Sequence, residues 1–165
     1  MPVRRLPDLG ARGEGWTLAQ VVLMFSIVVA AWRASPGPAA EPSLAFALRA
    51  FGLVAMVLGL ALILVSSHVL RRARSFSPLP RPLDSGLLVE VGPYRLVRHP
   101  IYAGLMLAGA GAALYRGAIA AGVLTVGLAI VLDLKRRREE AWLLDRFPAY
   151  RTYRARTKAL VPFLY

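Results

Sequence analysis

The chain has no cysteine and only two histidines, His68 and His99, among 165 residues. Without thiols, a disulfide framework and thiolate metal ligation are excluded, and two distant histidines do not make a His-rich metal centre. Acidic residues are scarce as well, nine against 21 Lys and Arg, for a net charge of +12. The phosphate-binding loop, the Gly-x-Ser-x-Gly nucleophile elbow and the Gly-x-Gly-x-x-Gly turn are all missing, which removes the familiar patterns of soluble nucleotide-binding and hydrolytic enzymes.

Apolar residues are abundant. They make up 57 % of the chain and mean hydropathy is +0.53, above the roughly 45–50 % apolar content of a soluble domain. Charges are grouped in blocks between apolar runs, the pattern of a chain that crosses a bilayer several times. Length allows one domain, 1–165. The positive charge is accounted for by anionic lipid, and no nucleic-acid partner is expected.

Four spans are predicted. The first, 16–32, is WTLAQVVLMFSIVVAAW, bracketed by Trp as interfacial helices are. A cleaved signal peptide is the competing reading, since Arg4, Arg5 and Arg12 precede it. A Pro- and Ala-rich loop, 35–43, leads to the second span, 44–70, with Arg49 near one end. Residues 101–134 are too long for one crossing and read as a helical hairpin turning at Arg116-Gly117. Gly104, Ala108, Gly111 and Ala112 on one arm, with Gly122 and Gly127 on the other, are expected to let the arms approach closely. Basic residues cluster before the first span, in the 71–98 loop and in the tail from Lys135, but not in the loops between. This alternation puts both termini, the loop and the tail in the cytoplasm.

The most polar stretch beside an apolar run is GPYRLVRHPIYAG, residues 92–104. Pro100 suits the first turn of a helix and biases His99 toward an extended conformation. The N–H groups of Ile101, Tyr102 and Ala103 are then expected to face the cytoplasmic interface, where an anionic group can bind. Tyr94 and Tyr102 offer flat faces for an adenine ring or a sulfonium. An ordinary interfacial belt of Tyr and Arg accounts for the same residues.

The tail begins KRRREEAWLLDRF, 135–147. Glu139 and Glu140 either neutralise nearby cations in helical pairs such as Lys135 with Glu139, or bind the hydroxyl or amino groups of a cofactor. Lys135 to Arg138 are lipid-headgroup charges, any of which could hold an anionic substrate. The last residues, LVPFLY, are apolar enough to return to the interface.

Taken together, GLLVEVGPYRLVRHPIYAG (86–104), REEAWLLDRF (138–147), the following Tyr-Arg-Thr-Tyr and the terminal VPFLY resemble the isoprenylcysteine carboxyl methyltransferase family. This is a group of integral-membrane, S-adenosylmethionine-dependent methyltransferases that is also similar to phospholipid N-methyltransferases. The resemblance covers 71–165 and leaves 1–70 as two generic membrane helices. It implies an all-α membrane fold in which loop and tail close a cytoplasm-facing cofactor pocket. By position, Leu87, Leu88, Val89, Tyr94, His99, Pro100, Ile101 and Tyr102 are implied to line that pocket, with Glu139 and Glu140 contacting the cofactor. His99, Lys135 and Arg138 are the candidate catalytic residues. Lys135 stands where eukaryotic members carry an Arg that approaches the substrate carboxylate.

The implied activity is carboxyl O-methylation of an isoprenylcysteine-like or other lipid acid entering from the bilayer, with no metal. Phospholipid-type N-methylation is the alternative within the class. A membrane NADPH-dependent reductase and a non-enzymatic protein binding anionic lipid are the readings outside it. Oligomeric state is not encoded in any of these features.

Overall fold

The computed structural model describes residues 7–34, 41–83 and 86–162. Arg4, Arg5, most of the first Pro-rich loop and the last three apolar residues therefore lie outside the described residues. The described chain forms five α-helices, α1 (Glu14–Arg33), α2 (Pro42–Arg72), α3 (Pro100–Arg116), α4 (Ile119–Arg146) and α5 (Tyr150–Arg156), plus a 3₁₀ turn at Gly92–Arg95. Among the described residues the sole extended pairing is a parallel bridge between Val97 and Lys158.

The helices α1 and α2 are long and apolar enough to cross a membrane by length and composition. Their outward faces carry exposed Phe25, Val28, Phe51 and Leu64, among others, a distribution suited to lipid rather than water. The hairpin is present: α3 stops at Arg116, Gly117 adopts φ +61°, and α4 starts two residues later. Arg116 reaches back to the end of α1, donating from Nε to Ala31 O (3.0 Å) and from Nη2 to Ala34 O (3.2 Å).

Gly104 and Gly111 do not serve the hairpin. Gly104 and Gly111 of α3 face Gly59 and Gly52 of α2, and the spacing of seven in both helices fixes an antiparallel register. A Cβ on Gly59 would come within 2.6 Å of Ala108 N, and one on Gly111 within 2.5 Å of Met56 N. By contrast, a Cβ on Gly122 or Gly127 would meet nothing nearer than 3.9 Å. The close seam is thus between α2 and α3, where bare backbone on both sides lets dispersion and Cα–H contacts act at short range. Between α3 and α4 the tight point is Gly109, which makes room for Thr125.

The core joins Ile27 and Ala31 of α1, Ala113 of α3, and Ala121, Leu128 and Leu132 of α4. Consequently α3 lies between α2 on one side and α1 with α4 on the other, and the succession α1–α2 is not a packed pair. A gap between α1 and α2, floored by α3, is left at the end where α2 and α4 both become charged.

Candidate functional site

At that end lies a cavity of about 300 Å³, within the size range of small-ligand sites. All four long helices and the intervening loop build it. Gln20 comes from α1, Ile63, Ser67 and Leu70 from α2, Ile101, Tyr102 and Leu105 from α3, and Lys135, Glu139 and Leu143 from α4. The loop adds Leu87, Leu88, Val89 and Tyr94, and the tail adds Phe147, Tyr150 and Tyr153. Residues 1–70, generic by sequence, thus supply part of the wall. Gln20 carried no sequence signal beyond being a polar residue inside an apolar run.

His99 caps α3 with φ −125° and ψ 59°, a non-helical conformation, and Pro100 takes the first helical position. Because Ala103 N–H already bonds His99 O (3.1 Å), this N–H is spent within the helix. The expectation of three outward donors is reduced to Ile101 and Tyr102, as the helix hydrogen-bond pattern requires. The His99 ring stacks on Tyr102 at 5.3 Å between centroids.

Two adjacent glutamates divide the work. Glu139 Oε2 accepts from Tyr102 Oη at 2.7 Å and stands 3.7 Å from His99 Nδ1; its side chain is 25 % exposed and lines the cavity. Glu140, one residue on and therefore rotated by about 100° on the helix, is buried behind the wall and does not line the cavity. Its Oε1 receives Arg98 Nε (2.9 Å), His99 Nε2 (3.2 Å) and Arg136 Nη1 (3.5 Å), while Arg154 Nε lies 3.4 Å from Oε2. Burial by itself pushes the Glu140 carboxyl up, but the hydrogen bonds and charges of His99 and Arg98 overrule it and hold it down at about 2.

Arg98 carries the tail. Its Nη1 donates to Arg154 O (3.3 Å) and to Thr157 O. Its backbone N–H bonds Lys158 O (2.8 Å), and His99 N–H bonds Ala159 O (3.0 Å). Tyr153 Oη donates to Tyr94 O at 2.7 Å, which ties α5 to the 3₁₀ turn. Burial raises the Tyr94, Tyr150 and Tyr153 phenols above their ordinary value, so all three remain protonated at neutral pH.

Lys135 is not paired with Glu139. Its Nζ donates to Gln20 Oε1 (2.7 Å) and Pro78 O (3.1 Å) and sits 5.4 Å from the Tyr102 ring centroid. It is an almost wholly buried ammonium held by neutral acceptors. Arg138, on another face of α4, pairs with Asp8 and lies over Trp142 at 4.3 Å, away from the cavity. Pro100 is fully buried and also off the cavity surface. The remaining predicted residues, Leu87, Leu88, Val89, Tyr94, His99, Ile101, Tyr102, Lys135 and Glu139, converge on it. Arg98, Tyr150 and Tyr153, which lie in the stretches that carry the resemblance but were given no place in the site, join them. Among the described residues there is no cluster of His, Asp or Glu able to hold a metal.

The family model described as phospholipid methyltransferase matches residues 48–149, from the second turn of α2 to the turn before α5. No curated protein matches the chain.

Proposed function

The chain belongs to the phospholipid methyltransferase family, and from that premise we propose that it transfers a methyl group from S-adenosylmethionine to the polar head of a lipophilic acceptor at the membrane surface. The observation that carries the reading is the meeting of His99–Tyr102 and Glu139 in one cavity beside a buried ammonium. The family supports a membrane methyltransferase, and the remaining detail comes from the residues of the cavity.

These residues fit the cofactor. Glu139 has one oxygen committed to Tyr102 and still reaches the cavity, so it can accept from a nucleoside hydroxyl or an amino group. Tyr94 and Tyr102 offer aromatic surface to a purine or a cationic sulfur. Leu87, Leu88, Val89 and Ile101 supply apolar wall. When bound, S-adenosylmethionine contributes a methyl group on a sulfonium. The protein's part in such a displacement is positioning, which can supply about 7–11 kcal/mol.

His99 presents one ring nitrogen to Glu140 and the other toward Glu139. It therefore sets the two carboxylates rather than reaching for an acceptor proton. Lys135 is assigned to an anionic group of the acceptor, while Arg138 belongs to the interface. A carboxylate acceptor is ionised at neutral pH and needs no base, which favours O-methylation of a lipid acid. The second reading, N-methylation of a phospholipid amine, is favoured by the family description. In that case Glu139 is the carboxylate placed to take the proton, and Lys135 the partner of the phosphate.

The topology in this reading has four crossing helices. α3, at 17 residues, is ~26 Å long, short of a ~30 Å core, so local thinning accompanies it. The uncharged part of α4 ends at Leu132, and its charged half, from Asp133, continues into the cytoplasm with loop and tail. The α1–α2 gap is the lateral path for a lipid chain.

The test is thermal stability of purified protein with S-adenosylhomocysteine or NADPH, alongside Glu139→Gln. Ligand at 100 times its dissociation constant stabilises by about 2.7 kcal/mol. A shift with S-adenosylhomocysteine that is lost in the variant is expected; a shift with NADPH alone replaces the reading with a reductase. Labelled methyl recovered from lipid then separates the acceptors, since an ester releases it in base and an amine retains it.

A further inference from the structure

Besides Leu9 before α1, four large apolar residues outside the long helices stand in the open: Leu87 (67 % exposed), Val91 (60 %), Leu96 (58 %) and Val161 (44 %). They belong to one unit. Ser75, just past α2, accepts from Leu87 N–H at 2.7 Å and donates to Leu87 O at 2.9 Å. A Cβ on Gly92 would lie 3.3 Å from Val69 Cγ2, so Val91 and Gly92 run beside the last turn of α2. The Val97–Lys158 bridge then carries the tail, with Val161, alongside Leu96.

The depth of this unit follows from α2. At 31 residues the helix is ~46 Å long, against ~30 Å of hydrocarbon and ~40–45 Å including headgroups. Its last turn, and the segments leaning on it, therefore fall at headgroup depth. The charge there is of one sign: Arg71 and Arg72 end α2, and Arg95 and Lys158 lie on the two segments. The single acid in them, Glu90, is taken by Arg156. Exposed aliphatic residues interleaved with Arg and Lys are the composition of surfaces that settle into an anionic leaflet.

We propose that segments 86–97 and 158–161 form a docking surface for anionic lipid, seated in the leaflet through Val91, Leu96 and Val161. Val89 and Tyr94 on the same segment wall the cavity, so the cavity is held by a wall that rests on lipid. The inference needs the membrane reading but not the methyl-transfer reading.

Because the chain has no cysteine, single fluorophores can be placed through Val91→Cys and Leu96→Cys. Arg137→Cys, with its native side chain 57 % exposed, serves as an aqueous reference. The full-length protein is reconstituted singly in nanodiscs of phosphatidylcholine with phosphatidylglycerol. A quencher carried on lipid chains is expected to act about threefold more strongly than iodide at positions 91 and 96, with the order reversed at 137. The lipid quenching should weaken when phosphatidylglycerol is omitted. Iodide quenching at 91 and 96 would show a wet surface, and protection from both quenchers would show the two positions packed against the rest of the chain; either overturns the proposal. Equal lipid quenching without phosphatidylglycerol overturns its anionic character. S-adenosylhomocysteine binding by the same labelled protein reports separately on the methyltransferase reading, since the quenching pattern does not depend on it.

Discussion

Replacing Glu140 by Gln tests whether a buried charge, and not apolar packing alone, fastens the tail over the cavity. The substitution keeps the shape but removes the acceptor charge for Arg98, His99, Arg136 and Arg154. Lowering a carboxyl from 4.5 to about 2 corresponds to on the order of 3 kcal/mol, at 1.36 kcal/mol per pH unit. Breaking one side of a buried ion pair costs about 3–5 kcal/mol by an independent route, so the two agree. For a chain of this size the loss corresponds to a midpoint lower by roughly 6–12 °C, read by intrinsic fluorescence with Trp142 nearby on the same helix. The sign with pH follows from the lowered folded-state value. Stabilisation by Glu140 is complete above about pH 4.5 and is lost as pH falls toward about 2. Wild type and variant should therefore differ at pH 7 and converge in acid. A variant within about 1 kcal/mol of wild type at pH 7, or parallel pH curves, would refute the reasoning.

Three further outcomes are expected. Gly59→Val, which drives a side chain into Ala108 and Gly104, should cost about 1–3 kcal/mol in thermal unfolding, whereas Gly122→Ala should be neutral or stabilising because its Cβ meets nothing close. Arg98→Lys loses the fork that joins Glu140 to the tail carbonyls; the tail should become cleavable by limited proteolysis within 150–158 while α1 to α4 stay protected, at a cost of about 1.5–3 kcal/mol. Tyr153→Phe removes the bond to Tyr94 O. S-adenosylhomocysteine affinity measured by calorimetry should then fall by up to about tenfold, the equivalent of ~1 kcal/mol in positioning Tyr94.

Local chemistry made much of this protein legible in advance. Helix α1 and the long α2 follow from apolar runs, the α3 start from Pro100, and the hairpin turn from Gly117, because length, φ restriction and hydropathy are properties of short segments. The cavity residues nearest the motifs, such as Tyr94, Tyr102 and Glu139, were also readable, since polar residues next to an apolar run need a reason.

What the sequence could not decide was partnership. Glycines at 104 and 111 are equally available to α2 and α4, and only the matching spacing of Gly52 and Gly59 in three dimensions assigns them to α2. Glu139 and Glu140 are chemically identical neighbours. The helical turn between them points one into the cavity and the other into a cage of Arg98, His99 and Arg136, from a different helix and loop as well as its own. Lys135 is a candidate for the site by its position in the motif, but only the packing of α1 brings Gln20 to it from 115 residues away. A sequence fixes which groups are present and which stretches can enter a bilayer. Which long-range neighbour each group meets depends on how the helices pack, and that is where the tertiary structure decided.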